Sequence, residues 1–179
     1  MNTYKPTEPY QFKSCKHADQ YMEILMFQNY SFLVWYLNFL KTNSSPDSIK
    51  SRLQIHLEWL IAQGENRPVT MLCPTCHQEL ITHFSIVSGH SGCSMSAGYS
   101  SCDDEYCKSK ISAGLDTSTH ILIWSPIKFS EIIKFRYKGE QNQFADMIKT
   151  ACGIDREKNM THQRAFEFFT QPARTTQPA

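Results

Sequence analysis

Two close cysteine pairs constrain this chain more than any other feature. Cys73 and Cys76 frame the run Cys73-Pro74-Thr75-Cys76, and Cys102 and Cys107 frame Cys102-Asp103-Asp104-Glu105-Tyr106-Cys107, with 25 residues between the pairs. A turn of that length brings two thiolates within reach of one ion, and two such turns supply four soft ligands for a tetrahedron. The spacing predicts one structural zinc per chain, held by Cys73, Cys76, Cys102 and Cys107. Four thiolates close the shell and leave no position for water or substrate, so the expected role is structural rather than catalytic. Disulfides are the competing use. Seven cysteines is an odd number, which argues against a complete disulfide framework, and the polar N-terminus carries no apolar leader core. The expected compartment is the cytoplasm, where disulfides rarely persist. His77, His83, His90 and Cys93 are alternative ligands by sequence position. Cys15 and Cys152 read as core thiols.

Two metal-bearing turns do not make a fold by themselves. At 179 residues, 41% hydrophobic and 12% aromatic, the chain can bury a core as one domain or as two small ones. The net charge of +1 lacks the global basic excess of a strong nonspecific nucleic-acid binder, while leaving room for a local basic face. The longest apolar run, Phe32 to Tyr36, is too short to span a bilayer, so no membrane partner is expected.

Periodicity divides the rest into an α+β pattern: an N-terminal helical unit, a central zinc-ribbon-like β element and C-terminal helices. Residues 1–63 form the helical module. Asp19 is expected to cap a short helix through Met26, Asn29 a second helix from Tyr30 to Leu40, and Ser45 with Pro46 a third. The second helix is apolar around much of its circumference and is expected to be buried on more than one side. Ile49, Leu53, Leu57, Leu60 and Ile61 give the third an apolar stripe, and Gly64 fits just past its end. Residues 64–138 form the β region. Strands are expected at Val69–Leu72, Glu79–Val87, His120–Trp124 and Ile132–Tyr137, with Ser88–Ser101 as a long loop. Residues 139–170 hold two helices packed on that region. One contains Phe144, Met147, Ile148 and Ala151 with Gly153 as its stop, and the other contains Ala165, Phe166 and Phe169. Residues 171–179 are polar, Pro-bearing and expected to be disordered.

Residues 10–62 resemble a known module. Phe12, Lys16, Tyr30, Leu33 and Trp35 are similar to the exodeoxyribonuclease X-like C-terminal module. That module reads aromatic-Gly-Lys-aromatic-Lys-Gly, then a short helix, then a helix bearing Tyr-Leu-x-Trp. Neither glycine of the module is present here; Ser14 and Ala18 or their neighbours stand instead. The resemblance implies an accessory role in nucleic-acid binding and carries no catalytic residue with it.

The residues themselves offer two basic groups for DNA or RNA. Lys128, Lys134, Arg136 and Lys138 interleave with Phe129, Phe135 and Tyr137, which is what a single-strand groove requires. On the expected strand, Lys134, Arg136 and Lys138 share one face. Lys13 and Lys16 are second candidates for phosphate contact. Tyr30, Phe32, Trp35 and Tyr36 could stack on bases, though aromatics at helical spacing more often pack a core. Asp103, Asp104 and Glu105 read as an exposed surface of the second knuckle. Glu131-Ile132-Ile133-Lys134 misses the Glu-x-Lys spacing of restriction-type nucleases by one residue. His56, His120 and His162 read as satisfied polar residues. No catalytic residue is named. The expected function is a noncatalytic zinc-binding module accessory to nucleic-acid processing. A protein-interaction adaptor stabilised by zinc is the alternative, and an enzyme without a recognisable motif the second alternative.

Overall fold

The computed structural model describes residues 4–13, 16–43, 51–89, 95–114, 120–154 and 159–171. The class is α+β, as the sequence predicts. Among the described residues are α1 (Met22–Gln28), α2 (Tyr30–Asn43), α3 (Arg52–Glu65), β1 (His83–Gly89), β2 (Met95–Ser101), α4 (Glu105–Ala113), β3 (His120–Pro126), a 3-10 helix (Phe129–Lys134), α5 (Lys138–Ala151) and α6 (His162–Thr170). They divide into two units. Helices α1, α2, α3 and α6 form one; the sheet, α4, the 3-10 helix and α5 form the other. The sequence division placed α6 on the β region together with α5. The chain groups it with the N-terminal helices because Phe27 of α1 takes Phe168 and Phe169 at ring distances of 5.3 and 5.5 Å.

The helical unit is built on a strap. Phe12 N–H donates to the Gln20 carbonyl and Met22 N–H to the Tyr10 carbonyl, both at 2.9 Å. Asp19 does not cap α1. It sits at φ 66° and its N–H turns back to the Phe12 carbonyl, a left-handed position that Asp tolerates better than most residues. Tyr21 is the residue that precedes the helix. Met22, Leu25, Met26, Leu33, Leu57, Leu60 and Phe169 are buried as the core. Ser51 begins α3. Its extended backbone stands before the helix, and its hydroxyl accepts from Gln54 N–H at 3.2 Å. The expected start at Ser45–Pro46 lies outside the described residues. Gly64 falls in the last turn of α3 rather than beyond it. Helix α2 buries Tyr30, Phe32, Leu33 and Leu37 and leaves Trp35 and Phe39 exposed on its outer face.

One polar array crosses this core. His56 Nε2 meets Glu23 Oε1 at 2.8 Å, and Tyr4 Oη meets His56 Nδ1 at 3.0 Å. Tyr10 N–H reaches both Glu23 oxygens at 3.2 Å. Glu23 and His56 are almost wholly buried, so their polar atoms rely on one another.

In the second unit the strand order is β2-β1-β3, with both pairings antiparallel. Phe84 of β1 points to α5, where Phe144 meets it edge-on at 5.6 Å. Phe144, Ala145, Met147, Ile148 and Ala151 are the buried face of α5. Gly153 follows the helix at φ 80°, the left-handed position that stops helices and suits glycine. Three expectations change. The loop expected over Ser88–Ser101 contains β2; its Ser, Gly and Ala residues give no strand signal, and backbone pairing to β1 supplies what propensity does not. Val69–Leu72 contributes only one bridge, Leu72 to Leu80. Ile132–Tyr137 is not a strand: Phe129 and Ile132 are buried three residues apart, the period of a 3-10 turn. Lys134, Arg136 and Lys138 therefore share no strand face.

Glu23→Ala should destabilise the protein by about 3 kcal/mol, because it strands the buried ring of His56 and the Tyr10 N–H. Urea unfolding of the full chain checks this; a loss below about 1 kcal/mol contradicts it.

Candidate metal centre

The first half of the centre is a tight turn. Cys73 N–H donates to the Glu79 carbonyl at 2.7 Å, and the Cys73 carbonyl accepts from His77 N–H at 2.9 Å. The Leu72–Leu80 bridge closes the base of the turn, and His77 takes the left-handed position at φ 54°. The sheet then delivers the second half. Thr82 N–H donates to the Ser101 carbonyl at 2.9 Å and His83 is paired with Ser101. Cys102, next along the chain, is thereby returned to the first turn.

The second pair is not a second ribbon knuckle. Cys102 follows β2, and Cys107 lies in the first turn of α4. Asp104 caps that helix, accepting from Tyr106 N–H at 2.6 Å and Cys107 N–H at 3.3 Å. The first helical turn presents the positive end of the backbone dipole to Cys107, an attraction that burial and the neighbouring thiols outweigh. The acidic triplet is more than exposed surface. Asp104 is the cap, while Asp103 and Glu105 hold Lys108 at 3.1 and 3.3 Å. The Lys108 hydrogen bond keeps the Asp103 carboxyl below its ordinary pKa, and the same contact raises Lys108.

The sulfurs of Cys73, Cys76, Cys102 and Cys107 lie within 4.8 Å of one another. Cys73, Cys102 and Cys107 are buried and Cys76 half-buried. Cys76 and Cys102 sulfurs stand 4.0 Å apart. A tetrahedron with zinc–sulfur bonds of about 2.3 Å has edges of about 3.8 Å, whereas a disulfide bond is about 2.05 Å. The spacing fits an ion and not a disulfide. Burial opposes ionisation of Cys73. Hydrogen bonds from the backbone of Cys76, Cys102 and Thr75 and from the Cys102 thiol outweigh it, and bring the thiol down to about 6. Burial pushes Cys102 and Cys107 up; for Cys107 the neighbouring thiols add to the rise. One sulfur in the cluster is thus readily ionised and two resist it without a cation, as expected of thiols gathered for a metal that displaces their protons.

Among the described residues the alternative ligands do not enter. His77 is exposed. The His83 ring faces Thr82 Oγ1 at 2.9 Å and Asp103 at 3.8 Å. His90, Cys93 and Cys15 lie outside the described residues. Cys152 follows α5, apart from the cluster.

The basic candidates fall on both units. Lys13 and Lys16 belong to the helical unit, and Lys16 Nζ stands 5.4 Å over the Phe32 ring. On the second unit Lys128 is exposed at the start of the 3-10 helix. Lys134 binds the largely buried Glu131 at 2.7 Å. The Arg136 guanidinium lies 5.6 Å over Tyr137. Lys138 opens α5, and desolvation lowers the pKa of its ammonium. Sequence reading missed α4, whose signal was present: Asp104 before an acidic first turn, then Lys108 and Lys110 toward the end.

Geometry and ligand chemistry together define a candidate four-thiolate centre of the closed, structural kind. Comparison of the chain with family models, with curated proteins and with solved structures finds no match. Among the described residues no helix is long and apolar enough to cross a membrane.

Cys76→Ser should reduce bound zinc from about one per chain to near zero and abolish cooperative unfolding of the sheet-bearing unit. Metal analysis and thermal melting of the variant check it; retention of both metal and fold contradicts the assignment.

Proposed function

We propose that this chain is a noncatalytic zinc-bearing protein that contributes an accessory nucleic-acid-binding surface. The observation that carries the first half is the convergence of four cysteine sulfurs within 4.8 Å. All four positions of a tetrahedral ion are taken by protein, so the metal has no site for substrate. Zinc suits four thiolates in a tetrahedron, a ligand set that iron also accepts. Its contribution would be folding free energy that a small three-stranded sheet does not supply by burial alone.

The second half rests on exposed cations beside aromatic rings. Lys128, Arg136 and Lys138 are exposed, with Tyr137 about half exposed among them. Phosphates require such cations and bases require the ring. Lys134 is a weaker candidate, since its ammonium is engaged by Glu131. A protein-interaction adaptor is the second reading. It is favoured by Leu72 and Leu80, opposite one another at the base of the cysteine turn and each nearly half exposed.

Lys128→Ala combined with Arg136→Ala tests the basic segment without breaking the Glu131 pair. Fluorescence anisotropy of the zinc-loaded full chain with labelled single- and double-stranded DNA and RNA should show weaker binding, with the salt slope reduced by about 2. Unchanged affinity and slope remove this segment from the contact surface. Absence of binding to every oligonucleotide at low salt moves the function to the adaptor reading.

A further inference from the structure

Helix α2 carries a row of rings that the core does not need. Phe32, Trp35, Tyr36 and Phe39 stand at i, i+3, i+4 and i+7, one face of the helix. The row starts inside and runs outward. Phe32 is 8% exposed, set against Phe12 at 5.9 Å and His17 at 4.2 Å. Trp35 is 58% exposed and Phe39 48%. Three pairs in the row are close to parallel, Phe32 with Tyr36 at 14°, Tyr36 with Phe39 at 10° and Trp35 with Phe39 at 21°, while Trp35 is tilted by 32° to Phe32 and 31° to Tyr36. Among buried pairs, Phe84 with Phe144 and Phe168 with Phe169 cross at 88° and 87°, and Phe27 with Phe169 is tilted at 31°. Edge-on crossing is a preferred packing of buried rings. Parallel rings continuing into solvent present flat faces to a flat ligand.

Cations flank the row. Lys16 Nζ is 5.4 Å from the Phe32 ring centre. Lys13 is exposed and follows Phe12, whose ring touches both Phe32 and Tyr36. Lys41, two residues past Phe39, is on another side of the helix and reaches Glu58 of α3 at 3.7 Å, so it is not part of this flank. Among the described residues Lys13 and Lys16 make no ion pair. Flat π-faces beside ammonium groups are the two components of a single-strand groove, one for bases and one for phosphates.

We infer that the exposed face of α2, Trp35 and Phe39 in line with the Phe32 ring that Lys16 overlies, is a stacking platform for the unpaired bases of single-stranded nucleic acid. This rests on the nucleic-acid reading above and gives it a site on the helical unit. Bases inside a duplex are already stacked and offer no free face, so the platform separates single strands from duplexes. It tolerates any base sequence, because every base has a π-face.

The test uses zinc-loaded full chain with labelled oligo(dT), oligo(U) and a DNA duplex. Trp35→Ala with Phe39→Ala should weaken single-strand binding about 10-fold or more, the scale of base–aromatic stacking, and leave duplex binding unchanged. Trp35→Phe keeps a ring and should retain most of the affinity. Both positions are exposed, and thermal melting of each variant verifies the fold. Quenching of indole fluorescence by oligo(dT) should be present in the parent and reduced in Trp35→Phe. If Trp35→Ala with Phe39→Ala leaves single-strand affinity unchanged while Lys128→Ala with Arg136→Ala lowers it, the platform is wrong and the nucleic-acid reading stands. Equal losses for single strand and duplex also overturn it. If no oligonucleotide binds at low salt, both readings fall and the face passes to a protein partner.

Discussion

The convergence of four thiols is the constraint around which the second unit is arranged. A tight turn fixes Cys73 and Cys76, the register of β1 with β2 returns Cys102 to that turn, and the capped start of α4 adds Cys107. Each device is local and ordinary. Their joint result is four sulfurs in one small volume, three of them buried. Thiols at that spacing, with one held at about 6 by its hydrogen bonds, resist mutual ionisation unless a cation joins them. A metal ion held there would answer that demand and tie the turn, the strand end and the helix start together.

The helical unit depends on different physics. It closes by apolar burial, with Met22, Leu25, Leu33, Leu57 and Leu60 inside. A buried polar array, Tyr4–His56–Glu23–Tyr10, ties the N-terminal strap to α1 and α3. Burial stops short on α2, where the outer rings of the aromatic row face water.

Legibility in the sequence followed the strength of local signals. The cysteine spacing identified the cluster before any coordinates, because metal geometry leaves few alternatives for two close pairs. Helices with clear stripes, such as that of Phe144, Met147, Ile148 and Ala151, were readable for the same reason. Strand β2 was not, since Met95–Ser101 is small and polar and its strand state comes from pairing with β1. Residues 129–134 misled because Ile132 and Ile133 carry strand propensity while Phe129 and Ile132 bury at a three-residue period. The grouping of α6 with the N-terminal helices rests on contacts distant in sequence, Phe27 with Phe168 and Phe169, which no local pattern encodes. The short, glycine-lacking resemblance at residues 10–62 suggested an accessory nucleic-acid role without showing where contact would occur.

Zinc-edge X-ray absorption on the purified full chain reads the coordination shell directly. Stoichiometric zinc surrounded by four sulfurs at about 2.3 Å is the expected result. A shell containing nitrogen or oxygen, or a folded chain carrying no stoichiometric metal, would contradict the closed four-thiolate centre.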